Sequence, residues 1–457
     1  MAEIGLSPPR PHLLTGRLPF VVALGGLTYV VYVAFGLVVG LSVGASYLAD
    51  SLRNTTPSSG VVALQLAASA IPGAFSIASV VPSPLDLIPA WKGTDRVNIL
   101  VLGIDQRDDE RDAGTPARSD TLMVVSIDPA QKAASIISFP RDLWLQIPGL
   151  GDERINAAFR FGELRKLDGG GAGVAARTIE QNFGLQTQYY AVIDFRGFEE
   201  IVNTVGGVLV DVPRPLRDDE YPTDNYGYER VYFAPGPQLM DGTTALKYAR
   251  TRHADSDFGR MARQQQVMLG VRDRALRLNM LTRLPSLLDQ GMRTVQTNIA
   301  PTDILSLAKL ASEIDTTAVG SLVVDNQLVT PFTGVGGASL QLPKPAEIRR
   351  AIQRALADPR MLREAARVEI VSSAASAQLA QRIADRLASE SLQIVRRTVS
   401  TDADPEATTV RVLADKPRSL TALLRALGMP DDRADDRPGE EADVDIRVVM
   451  GRDLQPQ

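Results

Sequence analysis

The chain has 457 residues, a formal net charge of −5, no cysteine and only two histidines. Its length suits two or three domains, and the lack of cysteine excludes disulfides, thiolate metal sites and cysteine nucleophiles. A histidine-rich metal site is also excluded, and because His12 precedes the first apolar segment, only His253 is a candidate catalytic histidine. Eight acidic and two basic side chains lie between 431 and 445, so the net charge indicates neither the presence nor the absence of a nucleic-acid partner.

The first apolar segment, residues 18–49, has no charged side chain over 32 residues. A helix of roughly 20 apolar residues crosses a hydrocarbon layer of ~30 Å, whereas the apolar part of a cleaved signal peptide has about 7–15 residues. The segment therefore predicts an uncleaved transmembrane anchor at 18–49. Arg10 and Arg17 before it and Asp50 after it favour a cytoplasmic N-terminus at 1–17.

A second uncharged segment, residues 54–85, contains four prolines and several serines. This composition is typical of an extended or interfacial linker, and we expect a linker over 50–94. The alternative is a second membrane segment, which would return the rest of the chain to the side on which the N-terminus lies.

From residue 95 onward, short β-branched runs alternate with helical apolar spacing. These patterns predict strands at 96–104, 121–128, 134–138, 189–195 and 207–212, and helices at 174–182, 197–205, 240–251 and 258–278. The glycine-rich run at 169–173 follows no predicted strand, so it indicates a flexible loop rather than a phosphate-binding loop. Intermixed helices and strands predict an α/β fold in which helices cover both faces of a central sheet, an α-β-α layered arrangement.

A second unit begins near residue 367. Its strands are predicted at 368–371, 393–398, 409–413 and 444–450, and its helices at 374–390 and 419–427. Two βαβ-like halves in so short a segment predict a small α+β domain at 366–453. A helical stretch at 345–367 is predicted to connect the two units.

Charged residues gather at the predicted element ends in four motifs. These are GIDQR (103–107), RSDT (118–121), FPRD (139–142) and ARTRHADSDFGRMARQQQ (249–266). Charges at the ends of buried strands tend to meet at one rim of a sheet, where binding pockets form.

The chemistry of these motifs suits a polyanionic ligand. Asp105 and Asp120 are hard oxygen donors of the kind that hold Mg²⁺, and planar guanidinium groups bind phosphate oxygens. The candidate phosphate ligands are Arg107, Arg118, Arg141, Arg250, Arg252, Arg260 and Arg263. The alternative is a set of surface ion pairs, each worth about 0–1 kcal/mol.

His253 is a candidate base or a structural hydrogen-bonding residue. The sequence lacks a basic stripe with interleaved aromatics that would favour nucleic acid.

Seven segments resemble the LytR–CpsA–Psr family over residues 95–360: GIDQR, RSDT, SFPRD (138–142), RINAAF (154–159), VGGVLVDVP (205–213), PGPQLMDG (235–242) and ALKYARTRHADSDFGR (245–260). The motifs occur in the family's order. The unit at 366–453 is similar to the LytR-type C-terminal domain of some members, through its opening VEIV and its closing RVVMGRD.

The resemblance implies a single-pass protein of the cell membrane whose extracytoplasmic catalytic domain, with a mixed central sheet, is a Mg²⁺-dependent phosphotransferase. Members of the family move a glycopolymer from a polyprenyl-pyrophosphate carrier to a hydroxyl of the cell wall, usually on peptidoglycan, and so form a phosphodiester. The implied partners are the lipid-linked glycopolymer, the wall acceptor and the membrane, without nucleic acid.

By resemblance, Asp105 and Asp120 match the magnesium ligands of the family. The positions that contact or support the pyrophosphate match Arg107, Arg118, Arg141, Arg250, Arg252, Arg260, Gln264 and Asp257. Arg141, Asp142 and Asp105 are the candidate catalytic residues, and either Asp105 or Asp142 could accept the proton of the acceptor hydroxyl. Between the first two motifs lies an acidic insert at 108–117.

The carrier lipid requires an apolar trough. The candidates are Phe159, Phe161, Phe183 and the segment 304–310, and the alternative for each is an ordinary core position.

Two other functions are compatible with the sequence: hydrolysis of polyprenyl pyrophosphate by water, and a non-enzymatic membrane sensor or transcriptional attenuator.

Overall fold

The computed structural model describes residues 88–105, 116–223, 227–252, 255–277, 295–436 and 443–454. The predicted anchor at 18–49, the second apolar segment, Arg107 and His253 lie outside these ranges. Within them, no helix combines the length and the apolar character that a membrane span requires.

The described chain consists of alternating helices and strands. Its strands are β1 (Val97–Ile104), β2 (Ser119–Asp128), β3 (Ala133–Phe139), β4 (Trp144–Ile147), β5 (Gly151–Arg154), β6 (Tyr189–Asp194), β7 (Val208–Val212), β8 (Leu216–Pro222), β9 (Tyr228–Phe233), β10 (Gly236–Met240), β11 (Val295–Thr297), β12 (Val319–Val323), β13 (Val329–Thr333), β14 (Ser339–Pro343), β15 (Arg367–Ser373), β16 (Gln393–Ser400), β17 (Thr409–Val412), β18 (Ala434–Asp436) and β19 (Ile446–Val449). Its α-helices are α1 (Ala157–Arg165), α2 (Gly170–Phe183), α3 (Phe195–Thr204), α4 (Gly242–Arg250), α5 (Asp257–Arg277), α6 (Pro301–Glu313), α7 (Pro345–Leu356), α8 (Pro359–Glu364), α9 (Ala377–Ser389) and α10 (Pro417–Leu427).

Six strands form a mixed central sheet in the order β11-β6-β1-β2-β3-β12. β2 runs antiparallel to both β1 and β3, whereas β6 pairs with β1 and β12 pairs with β3 in parallel. The mixed sheet expected from the resemblance is therefore present, and β1, β3 and β6 all end at the same rim.

Helices cover both faces of this sheet. Leu100 and Leu102 of β1 point to one face and pack with Ala175 of α2 and Ile348 of α7. On the other face, Ile127 of β2 packs with buried side chains of α6. Complete burial of a leucine stabilises a fold by about 1.5–3 kcal/mol, so these two apolar layers fix the predicted α-β-α arrangement.

The glycine-rich run at 169–173 is not the flexible loop that the sequence predicts, because α2 begins at Gly170. Its glycines allow α1 and α2 to approach closely. A Cβ atom on Gly162 would lie 2.5 Å from the carbonyl oxygen of Gly170, and one on Gly171 would lie 2.7 Å from Cδ2 of Phe159. Gly169 supplies the left-handed backbone, with φ +72°, at the start of the helix.

The predicted connector at 345–367 consists of two helices with different roles. α7 buries Ile348 and Ile352 in the core of the first unit. Asp358 then caps α8 by accepting a hydrogen bond from the backbone of Arg360 at 2.8 Å, and Met361 joins the core of the C-terminal unit.

The C-terminal unit has a five-stranded sheet in the order β16-β15-β19-β17-β18. Val368, Ile370, Ile446 and Val448 are fully buried in its core, which also includes apolar side chains of α9 and α10. The strands and helices predicted for this unit are confirmed within a few residues.

Candidate phosphoryl-transfer site

The rim at which β1, β3 and β6 end collects the charged motifs. Asp105 follows β1, and Arg141 follows β3 after a single proline. The first turn of α5 brings Asp257 and Arg260 to the same place, because Arg260 donates to the carbonyl oxygen of Asp120 at 3.2 Å. The convergence expected from strand ends is therefore observed.

Asp120 sits at a β-bulge. Gly103 pairs with Thr121, and Ile104 pairs with Ser119, so Asp120 is the extra residue of β2. Bulges re-aim side chains next to functional sites. A side chain on Gly103 would collide with Thr121, whose Cβ lies 2.8 Å from the position that a Cβ would take.

Arg141 lies at the centre of three carboxylates. Its Nη1 donates to Oδ2 of Asp120 at 2.6 Å, and its Nε lies 3.7 Å from Asp142 and 4.0 Å from Asp257. Arg260 pairs with Asp257 at 2.7 Å. We call these five residues, Asp120, Arg141, Asp142, Asp257 and Arg260, the Arg141 cluster.

Burial and charge oppose one another within this cluster. Burial lowers the pKa of Arg141, but Asp120, Asp142 and Asp257 outweigh it and hold that pKa above its ordinary value. Burial raises the pKa of Asp257, against the opposing attraction of Arg260 and Arg141. Burial also lowers the pKa of Arg260, although Asp257 works in the other direction.

Several buried polar atoms of the cluster have no hydrogen-bond partner. Within the described residues these atoms include Nε of Arg141, Nε of Arg260 and Oδ2 of Asp257. A buried polar group without a partner costs about 1–3 kcal/mol. Arg141 and Arg260 both lie within 4.0 Å of Asp257, and their unpaired Nε–H groups are donors of the kind that bind an anion.

Arg250 packs against two aromatic rings and contacts Asp105. Its guanidinium carbon lies 3.9 Å from the ring centroid of Phe195 and 5.5 Å from that of Tyr221. Its Nη2 lies 3.4 Å from Oδ2 of Asp105. The sequence interpretation missed Phe195 and Tyr221, and its only signal was that Phe195 stands at the end of a predicted strand.

The other predicted ligands have varied environments. Arg252 is exposed, and its backbone N–H donates to the buried Asp218 at 3.2 Å. The side-chain amide of Gln264 donates to the carbonyl of Ala249 at 3.4 Å. Within the described residues, the exposed Arg118 has no hydrogen bond or ion pair.

Arg263 holds the connection between α4 and α5. Its Nε donates to the carbonyl of Tyr248 at 3.0 Å, its Nη1 pairs with Asp255 at 2.7 Å, and its Nη2 donates to the carbonyl of Thr251. The buried guanidinium of Arg263 therefore binds groups of the protein, and these contacts stabilise the connection between α4 and α5.

Asp105 and Asp120 have the chemistry of magnesium ligands, and their backbones are neighbours at the end of β1. Across the described ranges, no three acidic, histidine or cysteine side chains come together as a self-sufficient metal site. Mg²⁺ is commonly held by one or two carboxylates, with water and phosphate oxygens completing its shell. Asp105 follows Ile104, whose pairing partner Ser119 adjoins Asp120, so the two carboxylates flank the same bulge.

Comparison with known proteins identifies the class. The model of the LytR_cpsA_psr family matches residues 66–350, and the chain belongs to this family. A second model, described as LytR cell envelope-related transcriptional attenuator, matches residues 365–454.

Two curated relatives are named as polyisoprenyl-teichoic acid–peptidoglycan teichoic acid transferases. TagU of Oceanobacillus iheyensis is 34% identical over 211 residues, which are 46% of this chain and 61% of TagU. TagV of Bacillus subtilis is 32% identical over 232 residues, 50% of this chain and 56% of TagV. The chain thus matches less than two thirds of the length of either relative. The crystal structure of B. subtilis TagV aligns at 27% identity with a TM-score of 0.47, covering 58% of this chain and 98% of that one.

Proposed function

We propose that this protein is a membrane-anchored, Mg²⁺-dependent phosphotransferase that moves a glycopolymer from a polyprenyl-pyrophosphate carrier to a hydroxyl of the cell wall. The observation that carries the proposal is the Arg141 cluster, in which Arg141 and Arg260 each keep a buried Nε without a hydrogen-bond partner beside three carboxylates. The names of TagU and TagV support the same class of donor and acceptor.

Charge balance supports a metal cofactor. Asp105 and the three carboxylates of the cluster carry four negative charges, which the four positive charges on Arg141, Arg154, Arg250 and Arg260 balance. A pyrophosphate would add further negative charge to this set. Mg²⁺, held by Asp105 and Asp120, would supply the missing positive charge and polarise the phosphate oxygens.

The reaction is a phosphoryl substitution. The acceptor oxygen attacks the phosphorus that carries the glycopolymer, a new P–O bond forms, and the bond to the bridging oxygen breaks as polyprenyl phosphate leaves. Arg141 and Arg260 offer their N–H groups to oxygens on which negative charge develops. The proton of the acceptor passes to a carboxylate.

Three carboxylates compete for the role of base. Asp105 and Asp142 are the two expected from the sequence, and both lie near guanidinium groups, Asp105 beside Arg250 and Asp142 beside Arg154 at 3.4 Å. Asp257 is a third candidate because burial raises its pKa, and a base with a pKa closer to neutral is the more effective one.

We place the site outside the cytoplasm, at the cell membrane, on the strength of the uncharged segment at 18–49 and the arginines before it. A reporter fused near residue 90 of the full chain would test this placement. An extracytoplasmic signal is expected, and a cytoplasmic signal would contradict this placement.

The proposed chemistry is tested by its dependence on an acceptor. The full-length protein in lipid vesicles would receive lipid-linked glycopolymer, with or without purified peptidoglycan, and with or without a chelator. We expect polyprenyl phosphate to be released only with both acceptor and Mg²⁺. Release at the same rate without peptidoglycan would identify a hydrolase instead.

A further inference from the structure

The outer face of the β8–β9 hairpin presents two exposed tyrosine rings. Tyr228 and Tyr232 are 72% and 60% exposed. They stand four residues apart in β9, so both side chains point to the same face at a spacing of about 13 Å. Tyrosine is enriched at binding surfaces because its ring is apolar and its hydroxyl can form a hydrogen bond.

Polar groups fill the space between the rings. Tyr232 pairs with Arg217 across the hairpin, and Tyr228 pairs with Pro222. Arg230 lies between the two tyrosines in β9. Asp219 accepts hydrogen bonds from Nε of Arg217 at 3.0 Å and from Nε of Arg230, which tie the centre of the face together. These hydrogen bonds, first from Arg217 and then from Arg230, hold the pKa of Asp219 below its ordinary value.

The opposite face of the same hairpin contacts the candidate site. The hydroxyl of Tyr221 lies 3.4 Å from Nη1 of Arg250, and Asp218 accepts from the backbone of Arg252. Glu229 of β9 pairs with Lys247 of α4 at 2.7 Å. A molecule bound on the outer face would therefore be anchored to the element that holds Arg250 and Arg252 in place.

We propose that this outer face, the tyrosine platform of Arg217, Asp219, Tyr228, Arg230 and Tyr232, binds the uncharged glycan strand of the wall acceptor. The inference rests on the proposed function, to which it adds the docking site of the second substrate. The C–H groups on the face of a pyranose ring carry partial positive charge and stack on the electron-rich face of an aromatic ring. Tyrosine provides such a surface at low conformational cost because it has two side-chain torsions.

The charges of the face favour a neutral sugar chain over a polyanion. Arg217 and Arg230 both pair with Asp219, and the exposed Glu220 is its neighbour in β8, so the four charged residues at the centre of the hairpin sum to zero. The guanidinium groups can still donate hydrogen bonds to sugar hydroxyls, and the carboxylates can accept hydrogen bonds from them. A phosphate-rich polymer would instead favour a surface with a positive excess.

Direct binding tests the platform independently of catalysis. The probe is a β-1,4-linked N-acetylglucosamine hexamer, titrated into the full-length protein in detergent and followed by calorimetry. A double substitution of Tyr228→Ala and Tyr232→Ala removes both rings from exposed positions. The matched control, Tyr228→Phe with Tyr232→Phe, keeps the rings and removes only the hydroxyls.

We expect the alanine pair to weaken binding by about tenfold or more and the phenylalanine pair to bind within about threefold of the unsubstituted protein. Raising NaCl from about 0.05 M to about 0.5 M should change the affinity little, because the probe is uncharged. Equal binding by the alanine pair would overturn the proposal, as would binding of polyphosphate or of anionic vesicles at this face in place of the hexamer.

A transfer assay then distinguishes a failure of the platform from a failure of the proposed function. The alanine pair should raise KM for peptidoglycan while kcat changes little. If no acceptor supports transfer by the unsubstituted protein, the proposed function fails, yet the hexamer titration still decides whether the platform binds glycan.

Discussion

Nη1 of Arg141 donates to Oδ2 of Asp120 at 2.6 Å, and this contact joins the end of β3 to the bulge of β2. The two residues come from different motifs, FPRD and RSDT, that lie about twenty positions apart in the chain. Their contact places the proposed magnesium ligand directly beside the proposed phosphate ligand. A change at either residue should therefore affect both metal and pyrophosphate binding.

Replacement of Asp120 by asparagine tests this coupling. Asparagine keeps a hydrogen-bond acceptor for Arg141 but removes the charge that a magnesium ligand needs. We expect transfer to fall by about 10²-fold or more, with a higher Mg²⁺ concentration needed for half-maximal rate. An Asp120→Asn enzyme with an unchanged magnesium dependence would contradict the assignment, and Asp303→Asn on the distant α6 is the matched control.

The ring contact between Arg250 and Phe195 should set the affinity for the pyrophosphate. Phe195→Leu keeps an apolar side chain of similar size but removes the cation–π interaction, worth about 0.5–2 kcal/mol. We expect KM for the lipid-linked donor to rise by roughly 2–30-fold. The control is Tyr221→Phe, which retains the second ring and loses only its hydroxyl; a loss of equal size in both variants would mean that ring stacking is not the cause.

The raised pKa of Asp257 predicts a pH-dependent stability difference. Because burial raises the pKa of this carboxyl, the folded state binds more protons than the unfolded state between the ordinary and the raised value. Its contribution to stability is complete below the ordinary pKa of Asp and is lost as the pH rises through the raised pKa. The Asp257→Asn variant does not lose stability in this way, because asparagine has no carboxyl to titrate.

Thermal unfolding over a series of pH values measures that difference. We expect the difference in Tm, Asp257→Asn minus the unsubstituted protein, to increase as the pH rises from acidic to neutral. A relative Tm that stays constant, or that falls with rising pH, would show that the carboxyl is not held in the way the geometry indicates. Asp241→Asn, at an exposed helix cap whose pKa is lowered mainly by hydrogen bonds from Thr244, should show the opposite trend.

The close contact between α1 and α2 predicts a strong effect of one methyl group. A Cβ on Gly171 would lie 2.7 Å from Cδ2 of Phe159, and overpacking of this kind costs about 1–3 kcal/mol. Gly171→Ala should therefore lower the Tm by several degrees. In Gly270→Ala of α5 the nearest atom to the new Cβ is 3.3 Å away, and the gain of about 1 kcal/mol in helix propensity should leave the Tm unchanged or raised.

The buried strands and the rim could be predicted from the sequence because their signals are local. The run at 96–104 is apolar and β-branched, so β1 at Val97–Ile104 follows within one residue. Asp105 follows a buried strand directly, and Arg141 follows another after a single proline. Their convergence could be expected because charges at the ends of buried strands tend to meet at one rim of a sheet.

Other features depend on contacts that are distant in the chain. β8 has the sequence LRDDEYP, which mixes charges with a bulge and lacks a regular alternation, so no strand was predicted there. Arg250 meets Phe195 and Tyr221 only in the folded chain. The glycines at 170–173 lie in α2 because the neighbouring α1 approaches too closely for larger side chains, a tertiary requirement that overrides their low helix propensity.

The most direct test of the central claim is transfer by an Arg141→Ala enzyme. Full-length protein in vesicles would be given lipid-linked glycopolymer, Mg²⁺ and peptidoglycan, and the wall-linked phosphodiester and released polyprenyl phosphate would be quantified together. We expect equal amounts of both products from the unsubstituted protein and a decrease of about 10²–10³-fold in Arg141→Ala, with Arg350→Ala on the exposed side of α7 unchanged. Undiminished transfer by Arg141→Ala would contradict the account.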